Sequence, residues 1–211
     1  DGQLGALVRA NIAKSGLLSM EKIWENGFRQ MTSSVKPIRT PEDMRGFKIR
    51  VPPAPLVVSM FKALNAGPTA LALGEVYTSL QTKVVDGQEN PLTTIYADKF
   101  YEVQKYCSIT NHQWNGDWLV MNPRTWNAVP KDLQATVARN LDQSAVDLRS
   151  DVSRLNQSLV KTLTDKGLTI NTTQAQPFRD TLNKSGFYAE WRKKFGAENW
   201  AVLAKYATGL S

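Results

Sequence analysis

The chain has 211 residues, 42% of them apolar and 21% charged, the composition of an ordinary globular protein rather than a disordered one. Its 26 lysines and arginines against 19 acidic residues give a formal charge of +7, yet no apolar run approaches the roughly 18 residues needed to span a membrane. One cysteine, Cys107, excludes an internal disulfide framework, and one histidine, His112, argues against a protein-only transition-metal site.

Leu4, Leu7, Val8 and Ile12 recur at helical spacing and Gly16 follows as a stop, so a helix is predicted over 1–15. The chain opens inside that helix without an initiating Met, which predicts a fragment or a mature numbering with something removed upstream. A strand is predicted over 17–23, followed by a mixed aromatic and basic segment with a turn signal at Asn26-Gly27. Thr40 as cap, Pro41 at the first position and Gly46 as stop mark a compact helix. Residues 47–51 alternate as a strand that Pro52-Pro53 ends, because proline cannot donate to a ladder.

Residues 56–64 read as a helix, 69–73 as a strand, 74–85 as a helix and 88–92 as extended chain. This alternation from 47 to 92 predicts an α/β sheet with helical crossovers. An aromatic helix is expected over 95–103, and a long strand-rich stretch over 106–121 around Asn115-Gly116. Residues 131–166 contain neither Gly nor Pro and predict one helix of about 54 Å, long enough to brace two lobes. A strand over 168–172 and two or three short helices complete the chain.

Three polar side chains stand where strands end: Arg50 near the end of 47–51, Asn90 just after a helix stop, and Arg29 after Asn26-Gly27. In open α/β sheets ligands bind beyond the carboxyl ends of the strands. There an arginine can form a bidentate pair with a carboxylate, and an asparagine amide can add a neutral donor. The competing reading pairs Arg29 and Arg50 with surface carboxylates. No GxSxG elbow, phosphate loop or GxGxxG pattern is present. Cys107 and His112 lie five apart in a strand, on opposite faces, which argues against a nucleophilic dyad. Glu25, Glu75 and Glu89 show no spacing that joins two of them at one substrate, and Glu75 reads as a charge at a helix start. Trp114 and Trp118 can pack either on a ligand or in a core. The basic residues are scattered and the densest run, Arg192-Lys193-Lys194, sits beside Trp191 on a helix. Without a nucleic-acid motif, the charge reads as solubility.

Five motifs in order, Phe47-Lys48-Ile49-Arg50-Val51-Pro52, Gly74-Glu75-Val76-Tyr77-Thr78-Ser79-Leu80-Gln81, Val85-Asp86-Gly87-Gln88-Glu89-Asn90-Pro91, Lys99-Phe100-Tyr101-Glu102-Val103-Gln104-Lys105-Tyr106 and Thr110-Asn111-His112, resemble the DctP family. These are the extracytoplasmic solute receptors of tripartite ATP-independent periplasmic (TRAP) transporters. The resemblance covers essentially the whole chain and is strongest over 24–126. It implies a periplasmic-binding-protein-like α/β fold of two lobes with a long bracing helix, closing on a small organic acid such as a C4-dicarboxylate and delivering it to membrane permease subunits. It implies a location in the periplasm of a Gram-negative bacterium, no cofactor, no metal, no nucleic acid and no catalysed reaction. It assigns Arg50 to the ligand carboxylate, with Arg29 and Asn90 assisting. Leu73 stands where relatives often carry Phe against the ligand, and Trp114 is a further ligand-binding candidate because residues after Asn111-His112 line the pocket in relatives.

The family's length implies that an amino-terminal part is missing here, so the first lobe is expected to be incomplete. Residues 1–16 and 115–155 are assigned to that lobe and the bracing helix, and 17–114 and 156–211 to a second lobe carrying the carboxylate-binding residues. Apolar surface left uncovered would be met by dimerisation or a second chain. The alternatives are a carboxylate-processing enzyme with Glu89 as base, an acidic-partner module, and a fragment of the receptor that no longer binds.

Overall fold

The computed structural model describes residues 1–207. Helix α1 (Gly2–Lys14) leads into a two-residue strand β1 (Leu18–Ser19) and the long strand β2 (Trp24–Ser33). Strand β3 (Lys48–Val51), helix α2 (Pro55–Ala63), strand β4 (Gly67–Ala70), helix α3 (Val76–Gln81) and strand β5 (Gly87–Pro91) supply the alternating rhythm expected from the sequence. They are followed by α4 (Leu92–Ala97), β6 (Tyr106–Asp117), β7 (Val120–Met121), α5 (Pro123–Asn127), α6 (Lys131–Asp165), β8 (Thr169–Thr172), α7 (Ala175–Lys184), α8 (Phe187–Phe195) and α9 (Ala197–Ala204).

The main sheet has six strands in the order β4-β3-β5-β2-β6-β8. β3 runs parallel to both β4 and β5, β5 pairs antiparallel with β2, and β6 runs parallel to β8. The chain leaves β3 for β4 on one side and returns to β5 on the other. The carboxyl ends of β3 and β5 therefore flank a topological switch point, the place where such sheets bind ligands.

Local chemistry sets most boundaries. Pro55 opens α2, where its missing N–H is one of the unused donors. Phe61 and Met60 of α2 are buried, and α2 packs on β4 and α7. Gly87 at the start of β5 is required by close approach: a Cβ there would collide with the Thr32 carbonyl oxygen and the Phe47 ring. On α3, α4 and the end of α6, Val76, Leu80, Leu92, Ile95, Leu159 and Leu163 form one core cluster with Cys107 of β6. Each fully buried leucine or isoleucine in it contributes about 1.5–3 kcal/mol of transfer free energy.

Several expected boundaries move. The strand expected over 17–23 shrinks to β1, whose only ladder partner is β7, with the Met20 N–H reaching the Leu119 carbonyl at 2.9 Å. The segment with the Asn26-Gly27 turn signal is instead continuous strand. Gly27 absorbs a φ of +86° within that strand, just before the stretch from Arg29 to Ser33 that pairs with β5. The strand over 69–73 ends at Ala70, and Leu73 begins a 3₁₀ turn, Leu73–Glu75. Helix 74–85 stops at Gln81, shortly before Lys83 takes the left-handed φ of 59°. The helix expected over 95–103 is two pieces, α4 and a 3₁₀ turn Phe100–Glu102, separated at Lys99 with φ 56°.

The chain divides into two compact units. One comprises 1–26, 115–154 and 195–211, and the other 27–114 and 155–194; β2, β6 and α6 contain residues of both. The division differs from the sequence expectation in two segments. Residues 17–26 fall in the first unit, where β1 pairs with β7, and 195–207 do so through α9, which packs on α1. Polar ties join segments of that unit. Arg149 donates to both Asp1 carboxylate oxygens (2.9 and 3.0 Å) and to the Ile23 carbonyl, and the Lys22 N–H donates to Asp142. Trp118 packs beside Gly5 with the Arg9 guanidinium 5.5 Å from its ring, so its fate is packing.

Candidate ligand-binding site

The register across the main sheet places Arg50 of β3 opposite Thr69 on one side and Gln88 of β5 on the other, with Gln88 in turn opposite Thr32 of β2. Two residues along β5, Asn90 lies opposite Gln30, and Arg29 lies opposite Pro91. Arg50, Asn90 and Arg29 thus gather at the carboxyl ends of β3 and β5. All three are buried, with 2%, 5% and 7% of their surface exposed.

Arg29 is committed to Glu89. Its Nε and Nη2 donate to the two carboxylate oxygens of Glu89, and Nη2 also reaches the Glu89 carbonyl (2.8 Å) and Asn90 Oδ1 (3.0 Å). The Asn90 amide nitrogen donates to Gln88 Oε1 at 2.6 Å, and Gln88 donates to the Thr32 hydroxyl at 3.0 Å. The chain of bonds fixes the Asn90 amide with its oxygen toward Arg29.

Glu89 has a third partner, His112 of β6, whose Nε2 lies 3.1 Å from Glu89 Oε2 while its Nδ1 lies 2.7 Å from the Thr110 hydroxyl. An ionised carboxylate only accepts, so Nε2 donates to Glu89, while Nδ1 and the Thr110 hydroxyl share the second hydrogen bond. Burial pushes the Glu89 carboxyl up, but the hydrogen bonds from His112 and Arg29 outweigh it and hold the group below the usual carboxylate range. With both oxygens occupied and its proton affinity lowered, Glu89 is poorly suited to act as a general base.

Arg50 differs. Nε and Nη2 both donate to the Leu71 carbonyl, at 2.9 and 2.6 Å, while Nη1 has no hydrogen-bond partner and the guanidinium no ion pair among the described residues. Burial lowers its proton affinity, opposed by Glu89 and reinforced by Arg29, but a guanidinium remains charged throughout the physiological range. A buried cation held only by a carbonyl is costly unless an anion meets it. Of the two arginines read from the sequence, Arg29 does pair with a carboxylate, though a buried one, and Arg50 pairs with none.

The remaining expected residues are more exposed than this polar cluster. Leu73, two residues beyond Leu71, is 49% exposed, and Trp114, two residues beyond His112, is 39% exposed. Glu75 closes the 3₁₀ turn by accepting from the Ala72 N–H at 2.9 Å, in keeping with its reading as a helix-start charge. Cys107 is fully buried in the core cluster and its thiol is pushed up to about 12 by burial, so it forms no dyad with His112. Among the described residues no group of three or more His, Cys, Asp or Glu side chains could hold a metal ion, and no helix is long and apolar enough to cross a membrane.

Gln30 was not singled out from the sequence, Glu89 entered only as the base of the enzyme alternative, and His112 only as half of a dyad with Cys107 that the spacing argues against. The available signals were the position of Glu89 beside Asn90, of Gln30 beside Arg29, and a lone histidine within Thr110-Asn111-His112.

The chain is similar to the 2,3-diketo-L-gulonate-binding periplasmic protein YiaO of Escherichia coli, with 31% identity over 183 residues, 86% of this chain and 56% of the relative. Two solved TRAP periplasmic solute-binding proteins superimpose on it. One, from a Polaromonas species and bound to D-erythronate, has a TM-score of 0.90 and 30% identity over 96% of this chain and 66% of that one. The other, from Sulfurospirillum deleyianum with bound succinate, has a TM-score of 0.85 and 29% identity over 94% of this chain and 66% of that one. The chain thus spans between 56% and 66% of the length of these relatives. The model of the DctP family, described as bacterial extracellular solute-binding protein, family 7, matches residues 1–208. With that match and the two-lobe α/β architecture of its structural neighbours, the chain belongs to the DctP family of extracellular solute-binding proteins.

Proposed function

We propose that this chain is the carboxylate-gripping part of a periplasmic TRAP solute receptor, which binds a small organic acid and delivers it to membrane permease subunits without chemical change. The observation that carries this reading is Arg50: a buried guanidinium with no protein carboxylate, at the carboxyl end of a strand beside the switch point. A ligand carboxylate meeting it offsets the cost of the buried charge, and the planar fork selects an acid over a neutral analogue. Asn90, fixed by Gln88 and Arg29, supplies neutral polarity beside it. The ligands of the relatives, D-erythronate, succinate and 2,3-diketo-L-gulonate, share one feature, a carboxylate on a short carbon chain.

The test is titration calorimetry of this chain with succinate, D-erythronate and the corresponding uncharged amides. The expected result is saturable heat with at least one acid and none with its amide. Equal binding of acid and amide, or no binding of any acid, overturns the reading. A small enclosed acid should also bind with weak dependence on salt, in contrast to a polyanion held by the overall +7 charge.

A further inference from the structure

The side chain of Gln30 is 4% exposed and every polar atom on it is used. Its Oε1 accepts from two successive backbone N–H groups of β6, Thr110 at 2.9 Å and Asn111 at 3.0 Å. Its Nε2 donates to Asn111 Oδ1 at 2.7 Å and to the Phe28 carbonyl at 3.0 Å. In a regular strand successive N–H groups point to opposite sides, so two of them cannot converge on one oxygen. Their convergence marks an irregularity in β6, and Asn111 carries it with a left-handed φ of 44°, a conformation that costs a non-glycine residue free energy.

The next residue after this irregularity is His112, the protein's only histidine, which reaches Glu89. Glu89 in turn holds Arg29, the chain neighbour of Gln30. The contacts form a closed circuit: β2 holds β6 through Gln30, β6 touches β5 through His112, and β5 returns to β2 through Glu89.

We propose that Gln30 is a positioning residue for the ligand site, acting as an amide clamp. It holds the Thr110–Asn111 backbone out of strand geometry so that the His112 imidazole meets Glu89, and through Glu89 it orients Arg29 and the Asn90 amide. Gln30 itself touches no ligand in this scheme. The consequence for ligand affinity rests on the function proposed above, whereas the consequence for the imidazole does not.

The experiment reads both. Since there is one histidine, the ring ¹⁵N resonances of the whole chain report His112 alone. Wild type is expected to show one well-defined ring state with a proton on Nε2. Gln30→Leu removes the clamp and should collapse that signature toward a mixture of tautomers, with acid binding weakened about tenfold, equivalent to about 1.4 kcal/mol. Asn111 is exposed, so substitutions there separate backbone shape from side-chain loss. Asn111→Gly, which accepts a positive φ but gives up the Oδ1 that Gln30 meets, should keep more of the signature and the affinity than Asn111→Val, which resists that φ and should lose both. If Gln30→Leu does not fold, the Asn111 pair decides the question.

The proposal is overturned if folded Gln30→Leu or Asn111→Val retains the wild-type imidazole signature. It is equally overturned if Asn111→Gly loses that signature as fully as Asn111→Val does. If wild type binds neither succinate nor D-erythronate while the imidazole responds as expected, the function reading falls and the clamp stands.

Discussion

Two corners of one sheet each bury an arginine, and they treat it oppositely. At the β2–β5–β6 corner, Arg29 is neutralised by Glu89, which His112 braces from the far side. At the β3–β4 corner, Arg50 is held only by the Leu71 carbonyl and meets no carboxylate among the described residues. A charge compensated internally is a structural part, since removing either partner strands the other in a medium that penalises it. A charge oriented but without an ion pair is, on the function proposed above, the receptor, its partner supplied by the ligand. Both residues are arginines at strand ends, so residue type and position do not distinguish them. The difference lies in which carboxylate the fold brings near.

That contrast can be broken or sharpened by substitution. The largest effect is expected at the receptor corner. Arg50→Ala should abolish measurable acid binding, a loss of about 5 kcal/mol or more, while thermal unfolding stays near wild type. Arg50→Lys should keep the charge yet bind far more weakly, because an ammonium lacks the planar fork. Calorimetry on both variants checks this, and wild-type affinity in the lysine variant would show that charge alone suffices.

At the compensated corner the effect should fall on stability. Glu89→Leu leaves Arg29 buried without its carboxylate and should cost about 3 kcal/mol in urea unfolding at neutral pH. The same corner has a pH signature. Because the folded value of Glu89 lies below the unfolded one, its contribution is complete above about pH 4.3, the unfolded glutamate value, and is lost as pH falls through the folded value. Wild type should therefore lose stability on acidification more steeply than Glu89→Gln, which has no carboxyl to protonate there. Parallel pH profiles for the two proteins would contradict the ion-pair account.

Smaller effects are expected away from both corners. Gly87→Ala forces a methyl group against the Thr32 carbonyl and the Phe47 ring, and should destabilise by about 2 kcal/mol in the same unfolding assay. Leu73→Ala trims a half-exposed side chain and should change acid affinity by less than about 1 kcal/mol, the smallest of these shifts. A larger loss would move Leu73 from the periphery into the binding contact.

The alternation over 47–92, the bounding prolines and glycines, and the glycine-free run behind α6 were legible because periodicity and backbone chemistry act over a few residues. The five motifs carried the family, and strand-end placement picked out Arg50, Asn90 and Arg29, which the sheet register brings together. One local signal failed. Asn26-Gly27 reads as a turn but lies inside β2, where Gly27 takes its positive φ without ending the strand.

The sequence by itself therefore determined the alternation of elements, the family and which side chains crowd the strand ends. Only the tertiary structure decided that Glu89, 60 residues from Arg29, would neutralise that arginine and not Arg50, and that His112 would brace it. The physical reason is range. Hydrophobic period and turn chemistry are written within a few neighbouring residues, whereas the compensation of a buried charge depends on strand order and register, which bring distant residues within 3 Å.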